Sequence, residues 1–194
     1  MKQSYENDII IIGNSCDILN KPLGNTIDSF ETVVRVGKYN IEGYENYIGH
    51  KTDIVSTIYY NIREIDKDKK LILVNHYNLD DITRRIPTEQ FESYDLIAIH
   101  SRNDDIEITD FFNKTLNYPF NIPNCNFSLG FRTIFFILKL FPNKNVYVHG
   151  FDFFKSGYYF KPDHNRNIAN RHPYIYERIC VKKLVQCGKI HELS

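Results

Sequence analysis

Six short runs of apolar, mostly β-branched residues recur along the chain, and this recurrence constrains its fold more than any other feature. A short continuous run of this kind is typical of a strand buried on both faces of a parallel sheet. The first run is the purest example, with four consecutive isoleucines after Asp8. The runs predict strands at residues 8–12, 32–36, 53–58, 70–75, 95–100 and 145–149.

Segments with helical patterns lie between and after these runs. The strongest begins at Ser128 or Leu129 and reaches Leu140, where Pro142 stops it, and others are predicted at 107–116 and at about 173–187. The alternation of strand and helix predicts an α/β fold, a Rossmann-like and mainly parallel sheet flanked by helices, in a single domain over residues 1–194. Residues 101–127 are expected to be rich in loops, and 151–171 to form a mobile active-site segment.

Composition narrows the class of protein. Of the 194 residues, 42% are apolar and 25% are charged, as in soluble globular proteins. The 24 basic residues balance the 24 acidic ones, so the basic excess of a nucleic-acid-binding protein is missing. No apolar stretch approaches the ~18 residues of a membrane span. The cysteines form no CxxC pair and are expected to be free thiols: Cys16, Cys125, Cys180 and Cys187. We therefore expect a cytoplasmic protein without a nucleic-acid partner, and leave open a peripheral membrane association.

The first candidate site follows the isoleucine strand, at Gly13, Asn14 and Ser15. Ligands of open parallel sheets bind at the carboxyl ends of the strands. A glycine there lets the backbone approach a phosphate or a base, and Asn14 offers a hydrogen bond. The alternative is an ordinary turn between a strand and a loop. The segment matches neither GxGxxG nor a P-loop, so it does not predict nicotinamide or nucleoside triphosphate binding.

The second candidate is the start of the strongest helix, at Ser128, Leu129 and Gly130. Serine at this position is commonly a helix cap. The free N–H groups and the dipole of a helix N-terminus also favour an anion, so a substrate carboxylate would fit here.

Two further segments carry side chains that could take part in catalysis or binding. His172 precedes Pro173, which suits the first turn of a helix, so the imidazole is expected at an exposed helix end. Tyr158 and Tyr159 lie in the segment predicted to be mobile, and their hydroxyls could bind a phosphate. For each of these residues the alternative is an ordinary surface or packing role.

Taken in order, these segments resemble the four sialylmotifs of the animal-type sialyltransferases, in a short bacterial or viral-like member. The large motif is similar to Gly13-Asn14-Ser15, the Gly24 to Asp28 block, Arg35 and the block from Gly43 to Thr52. The small motif is similar to Ser128-Leu129-Gly130 and to the strand that ends at Gly150. The third motif resembles Tyr158-Tyr159, and the very small motif, His-x4-Glu, matches His172 and Glu177. The matches extend over about residues 8–192.

The resemblance implies a variant GT-A type fold and a transferase that takes a sugar acid from a CMP donor without a metal or other cofactor. His172 would be the general base, and Arg35 and Glu177 would support the motifs. The donor-binding residues it implies are Gly13, Asn14, Ser15, Lys38, Asn40, Ser128, Leu129, Gly130, Gly150, Tyr158 and Tyr159. The acceptor would be a glycan, for example of lipooligosaccharide type.

The chain departs from the family pattern at several positions. Gly37 stands where the family usually has Asn, so we expect Lys38 or Asn40 to supply the missing donor contact. Phe127 stands where the small motif often has Pro. The cysteines that join the large and small motifs in the animal enzymes are absent at the matching places. No Asp-x-Asp motif is evident, and the pairs Asp80-Asp81 and Asp104-Asp105 are expected to be solvated loop charges.

Two other functions remain open at this stage. One is transfer of another CMP-linked acid such as Kdo, because nothing in the donor motifs distinguishes the two sugar acids. The other is a non-catalytic nucleotide-binding protein on a degenerate transferase fold, since a fold does not guarantee its usual activity.

Overall fold

The computed structural model describes residues 5–58, 65, 68–74, 95–100, 105–117, 126–162 and 172–193. It contains a seven-stranded sheet in the order β5-β4-β3-β2-β1-β6-β7, and every neighbouring pair is parallel. The strands are β1 (Tyr5–Ile12), β2 (Phe30–Val36), β3 (Ile54–Ile58), β4 (Lys70–Val74), β5 (Asp95–His100), β6 (Asn145–His149) and the two-residue edge strand β7 (His191–Glu192).

Helices cover both faces of this sheet. They are α1 (Gly24–Asp28), α2 (Glu45–Ile48), α3 (Asp105–Leu116), α4 (Leu129–Leu140) and α5 (Tyr174–Gln186), with a 3₁₀ helix at Cys16–Asn20. The predicted α/β fold with a parallel sheet is confirmed, and six of the strands and the three longer helices lie where the sequence places them. The short helices and β7 were not predicted. Asn75, the predicted end of β4, lies outside the described residues.

The isoleucines of β1 explain why this strand is continuously apolar. Ile9 and Ile11 pack on one face of the sheet with residues of α3, α4 and α5, whereas Ile10 and Ile12 pack on the other face with Ile18, Ile27 and Ile48. Successive side chains of a strand point to opposite faces, so a strand covered on both sides needs apolar residues at every position.

Two of the sequence expectations concern segments that the structure covers only in part. Within 101–127, residues 105–116 are helical and 101–104 and 118–125 lie outside the described residues. Within 151–171, Ser156, Gly157 and Tyr159 are hydrogen-bonded to the loop that follows β1, and 163–171 lie outside the described residues.

Asp105 corrects one expectation. It was predicted to be a solvated loop charge, but it lies at the first position of α3 and forms an ion pair with the buried Arg132 of α4, with Oδ1 2.7 Å from Nη2. A buried guanidinium needs a partner for its charge, and Asp105 provides one.

Cys16, Cys180 and Cys187 are free thiols, and Cys125 lies outside the described residues. Of the helices in the described part of the chain, none has the length and apolar character needed to cross a bilayer.

Candidate active site

The candidate site lies where the strand order reverses. The chain proceeds from β1 outward to β5 and then returns to place β6 on the opposite side of β1. The loops that follow β1 and β6 diverge at such a switch point and leave a crevice at the carboxyl ends of the strands. A pocket of about 620 Å³ opens there. Its wall comprises Gly13, Asn14, Ser15, Val36, Gly37, Lys38, Ile58, Asn126, Ser128, Leu129, Gly130, Phe131, Ile134, Gly150, Phe151, Asp152, Phe153, Phe154, Tyr158, Phe160, Lys161, His172 and Glu177.

Gly13 and Gly150 let the ends of β1 and β6 approach each other closely. The N–H of Gly13 donates to the carbonyl of His149 over 2.7 Å, and the N–H of Ser15 donates to Gly150 over 3.2 Å. A Cβ on Gly13 would lie 2.2 Å from the carbonyl oxygen of Gly150. Any side chain at position 13 would therefore force the floor of the pocket apart.

Asn14 holds the loop after β2 beside the end of β1. Its Nδ2 donates to the carbonyls of Val36 (2.7 Å) and Lys38 (3.0 Å). Both amide hydrogens are used inside the protein, so a ligand contact from this side chain would have to come from Oδ1. The neighbouring hydroxyl of Ser15 donates to Asp17.

Tyr159 anchors the same loop from the other side. Its hydroxyl donates to the carbonyl of Asn40 (2.7 Å) and accepts from the N–H of Asn40 (2.9 Å), while its own N–H donates to Asn14 (3.0 Å). The side chain is 3% exposed, and burial raises its pKa to about 12. Tyr159 and Asn40 lie outside the pocket wall and hold the loop of that wall in place. The resemblance instead implied that both residues contact the donor. Lys38 and Tyr158 do line the pocket.

A tight turn presents Tyr158 together with Lys161. The N–H of Lys161 donates to the carbonyl of Tyr158 over 2.9 Å, and the two residues form an antiparallel bridge. Residues paired in this way carry their side chains on the same face. Both face the pocket, and the ring of Phe160 stacks on that of Tyr158 with centroids 5.5 Å apart. The turn therefore places a tyrosine and a lysine side chain together on the pocket wall.

Ser128 caps α4, as the sequence predicts for a serine at that position. Its Oγ accepts from the N–H of Phe131 over 3.3 Å. Leu129 and Gly130 follow as the first two residues of the helix and line the pocket. Their N–H groups belong to the first turn, which has no intrahelical acceptors, so an anion in the pocket can accept from them.

Glu177 of α5 binds both hydrogens of Ser128. The backbone N–H donates to Oε1 over 2.6 Å and the hydroxyl donates to Oε2 over 2.7 Å. Burial raises the pKa of Glu177 to about 7, although the two bonds from Ser128 and the charge of Arg132 act in the opposite direction. Glu177 thus accepts both hydrogens of Ser128, a residue that was expected to contact the donor.

His172 lies at the entrance to α5 and faces the pocket. Its Nδ1 lies 2.6 Å from the carbonyl oxygen of Asn126. A carbonyl can only accept, so in the neutral imidazole Nδ1 carries the proton and the lone pair is on Nε2. This tautomer is the one that a general base acting through Nε2 requires.

Arg35 has a structural role. Its side chain is buried and donates to the carbonyls of Ile48, Gly49 and Lys51 and to the hydroxyl of Thr52. It thereby fastens α2 and the following loop to β2.

Several pocket residues were not singled out by the sequence reasoning. They are Val36, Ile58, Asn126, Phe131, Ile134, Phe151, Asp152, Phe153, Phe154 and Lys161. The last five lie in the 151–171 segment that was expected to belong to the active site, and a search after the carboxyl end of every predicted strand would have found Phe151 to Phe154. Asn126 acts through its backbone, which carries no residue-type signal. Within the described part of the chain, no cluster of three or more His, Cys, Asp or Glu residues could hold a metal ion.

The parallel α/β sheet with a pocket at its switch point defines a variant GT-A type fold. The profile of glycosyltransferase family 29 (sialyltransferase) matches residues 2–189, and the chain belongs to this family.

The chain is also similar to known proteins in sequence or in fold. Sialyltransferase-like protein 2 of Arabidopsis thaliana is 28% identical over 85 residues, which cover 41% of this chain and 19% of that protein. A mammalian sialyltransferase in complex with Gal-beta-1-3GalNAc-ortho-nitrophenol superposes with a TM-score of 0.69 at 19% identity, over 96% of this chain and 69% of that one. The sialyltransferase CstII from Campylobacter jejuni, in complex with the substrate analogue CMP-3FNeuAc, gives a TM-score of 0.53 at 15% identity, over 95% and 78% of the two chains. The two solved structures share the fold.

Proposed function

We propose that this chain transfers a sugar acid, in the first place sialic acid, from a CMP donor to a hydroxyl group of a glycan, with inversion at the anomeric carbon. The observation that carries the proposal is the hydrogen-bond geometry of His172, a residue of the pocket wall. Its Nδ1 lies 2.6 Å from the carbonyl oxygen of Asn126, so in the neutral imidazole the lone pair is on Nε2. The same pocket holds the N-terminus of α4 and the ends of β1 and β6, which suit the anionic donor.

The donor carries two anionic groups, and the pocket offers a partner for each. The carboxylate would accept from the N–H groups of Leu129 and Gly130 at the start of α4. The phosphate would lie near the cations Lys38 and Lys161 and the phenol of Tyr158, all on the pocket wall. Lys161 would thus add positive charge beside a tyrosine that the resemblance assigns to the phosphate.

The reaction follows from these positions. The acceptor hydroxyl oxygen forms a bond to the anomeric carbon while the bond from that carbon to the phosphate oxygen breaks. Nε2 of His172 takes the hydroxyl proton, and CMP leaves with the bonding electron pair. The charge that develops on the phosphate is stabilised by Lys38, Lys161 and Tyr158. On this proposal the reaction needs no metal ion, and addition of a chelator leaves turnover unchanged.

The test is His172→Ala, assayed for transfer from CMP-sialic acid. A general base contributes about 10²–10⁴-fold, and we expect a loss of turnover in that range. His50→Ala is the matched control, because His50 is exposed and lies outside the pocket wall. Near-wild-type turnover of the His172 variant would refute the assignment of the base.

CMP-Kdo is the rival donor, and a donor panel separates the two. Both sugar acids carry the carboxylate that α4 would bind, so the proposal predicts transfer from at least one of them. Turnover with CMP-Kdo alone would keep the mechanism and change the sugar. Calorimetric titration with CMP and CDP checks nucleotide binding independently of the acceptor.

A non-catalytic nucleotide-binding protein is the second candidate, and Gly37 is the observation that favours it. Gly37 has φ +67° and lines the pocket, where the family pattern has Asn. A Cβ there would lie 3.5 Å from Leu129 Cδ2, an ordinary contact, and Asn tolerates left-handed backbone better than other side chains. Gly37→Asn is therefore expected to fold. If Gly37 has abolished activity, this variant gains turnover, whereas an active wild-type enzyme excludes the second candidate.

A further inference from the structure

Two consecutive phenylalanines on the pocket wall have left-handed backbone conformations. Phe153 has φ +56° and Phe154 has φ +65°. Such angles are unfavourable for bulky residues because Cβ comes too close to the following carbonyl oxygen. Backbone strain of this kind persists only where the surroundings enforce it, and it concentrates at functional sites.

Contacts on both sides of the pair enforce the conformation. On the N-terminal side Phe151 packs against Gly130, where a Cβ would lie only 2.8 Å from its ring. On the C-terminal side Ser156 donates its N–H across the turn to the carboxylate of Asp152 over 2.6 Å, and its Oγ accepts from the N–H of Cys16 over 2.9 Å. The chain has to turn between these two anchors, and it does so at Phe153 and Phe154.

The turn places the ring of Phe154 against the imidazole of His172. The two rings are stacked, with centroids 5.6 Å apart and planes inclined by 16°. Offset stacking at this separation is an attractive arrangement of aromatic rings. The bond from Nδ1 to Asn126 fixes rotation of the imidazole within its plane, and the stacked ring fixes the tilt of that plane.

We propose that Phe154 is a positioning residue that orients the imidazole of His172 through this stacking contact. The strained turn at Phe153 and Phe154 is what delivers the ring to that place. The catalytic consequence rests on the proposed function, since it requires His172 to be the base. The positional claim concerns two side chains of this protein and is tested without any substrate.

The first measurement is the NMR signal of the His172 imidazole in the full chain, assigned by comparison with His172→Ala. A stacked aromatic ring shifts the carbon-bound imidazole protons upfield. In Phe154→Leu, which keeps an apolar side chain without a ring, we expect this shift to be lost. In Phe154→Tyr, which keeps the ring, we expect it to remain. Phe153→Leu is the matched control, because it alters the same turn and leaves the stacked ring in place, so the shift should remain there as well.

The second measurement is the steady-state kinetics of the same variants. A misplaced catalytic group lowers the rate of the chemical step, and displacement by about 1 Å can cost on the order of 100-fold. We expect Phe154→Leu to lower kcat by about 10- to 100-fold with an unchanged KM for the donor, and Phe154→Tyr to restore kcat. Loss of packing alone would instead be measured as a lower unfolding free energy without this split.

Two results would overturn the inference. One is a His172 signal that is the same in Phe154→Leu as in the wild type. The other is an unchanged kcat in Phe154→Leu while His172→Ala is inactive. Phe154→Met, with a flexible side chain of similar length, serves the same test if the leucine variant does not fold. A lost ring shift together with full activity of His172→Ala would instead refute the proposed base and leave the stacking inference intact.

Discussion

The two sides of the pocket are built from similar hydrogen bonds but from groups of different acidity. The neutral side (Asn14 on the pocket wall, with Asn40 and Tyr159 behind it) joins an amide and a phenol to backbone carbonyls, and the pKa of the phenol is about 12. The titratable side (Ser128, His172 and Glu177) includes a buried carboxylate with a pKa of about 7. The neutral side keeps its bonds throughout the physiological pH range, whereas the charge of the titratable side changes within it. The protonation state of the neutral side is thus constant at physiological pH, whereas that of the titratable side changes with pH.

The largest expected effect is the pH dependence of the unfolding free energy, to which the titratable side contributes through Glu177. Burial raises the pKa of Glu177 from 4.5 to about 7, so between these values the folded protein retains a proton that the unfolded chain has released. The contribution of Glu177 to stability is fully present below about pH 4.5 and is lost as the pH rises to about 7. Each pKa unit corresponds to about 1.4 kcal/mol, which gives a loss of about 3 kcal/mol.

Glu177→Gln tests this expectation, because glutamine does not titrate. Urea unfolding of the wild type and the variant at pH 4.5 and pH 8 gives the difference in unfolding free energy at each pH, and all other titrating groups cancel. The difference should move in favour of the variant by about 3 kcal/mol at the higher pH. A difference that is independent of pH would show that Glu177 does not make this side sensitive to protons.

Asn14→Ala is the counterpart on the neutral side. It removes the hydrogen bonds to Val36 and Lys38, and at about 0.5–1.5 kcal/mol for each bond we expect a destabilisation of about 1–2 kcal/mol. The loss should be equal at pH 4.5 and pH 8, because neither the amide nor the carbonyls titrate. If it varied with pH as the loss in Glu177→Gln does, the distinction between the two sides would fail.

Tyr159→Phe is expected to have a smaller effect of about 1 kcal/mol. It removes the hydroxyl that both donates to and accepts from Asn40. Because the phenol stays protonated up to about pH 12, the loss should again be constant over the neutral range. Tyr44→Phe, in a ring that packs edge-on against Tyr159, tests whether any hydroxyl removed from this aromatic cluster has the same effect.

The smallest expected effect concerns the exposed Lys161. An exposed charge contributes about 0.2–1 kcal/mol to an ion pair, so we expect Lys161→Ala to weaken CMP binding by up to about fivefold. Cytidine, which lacks the phosphate, should bind equally well to both proteins in calorimetric titration. Lys155→Ala is the control, because Lys155 is exposed on the same loop but lies outside the pocket wall. Equal losses for CMP and cytidine would exclude a phosphate contact by Lys161.

Much of the site could be predicted because its residues lie at the ends of strands and helices with recognisable apolar patterns. The isoleucines of β1 locate Gly13 and Asn14 at a strand end, and the apolar pattern of α4 locates Ser128 at its cap. The direction of the side chains could not be predicted in the same way. Asn14 and Ser128 were expected to offer their hydrogens to a ligand, but both donate them within the protein to partners at least 22 residues away in the chain.

The sequence by itself determined the parallel sheet, the longer helices and the order of the family motifs, because local periodicity and residue type encode these. Only the tertiary structure decided which tyrosine faces the pocket, that Glu177 binds Ser128, and that Phe154 stacks on His172. The two contacts join residues 49 and 18 positions apart in the chain, and no local pattern encodes a distance between such segments. His172, one of seven histidines, likewise has the neighbours on which its proposed role depends only in the folded chain.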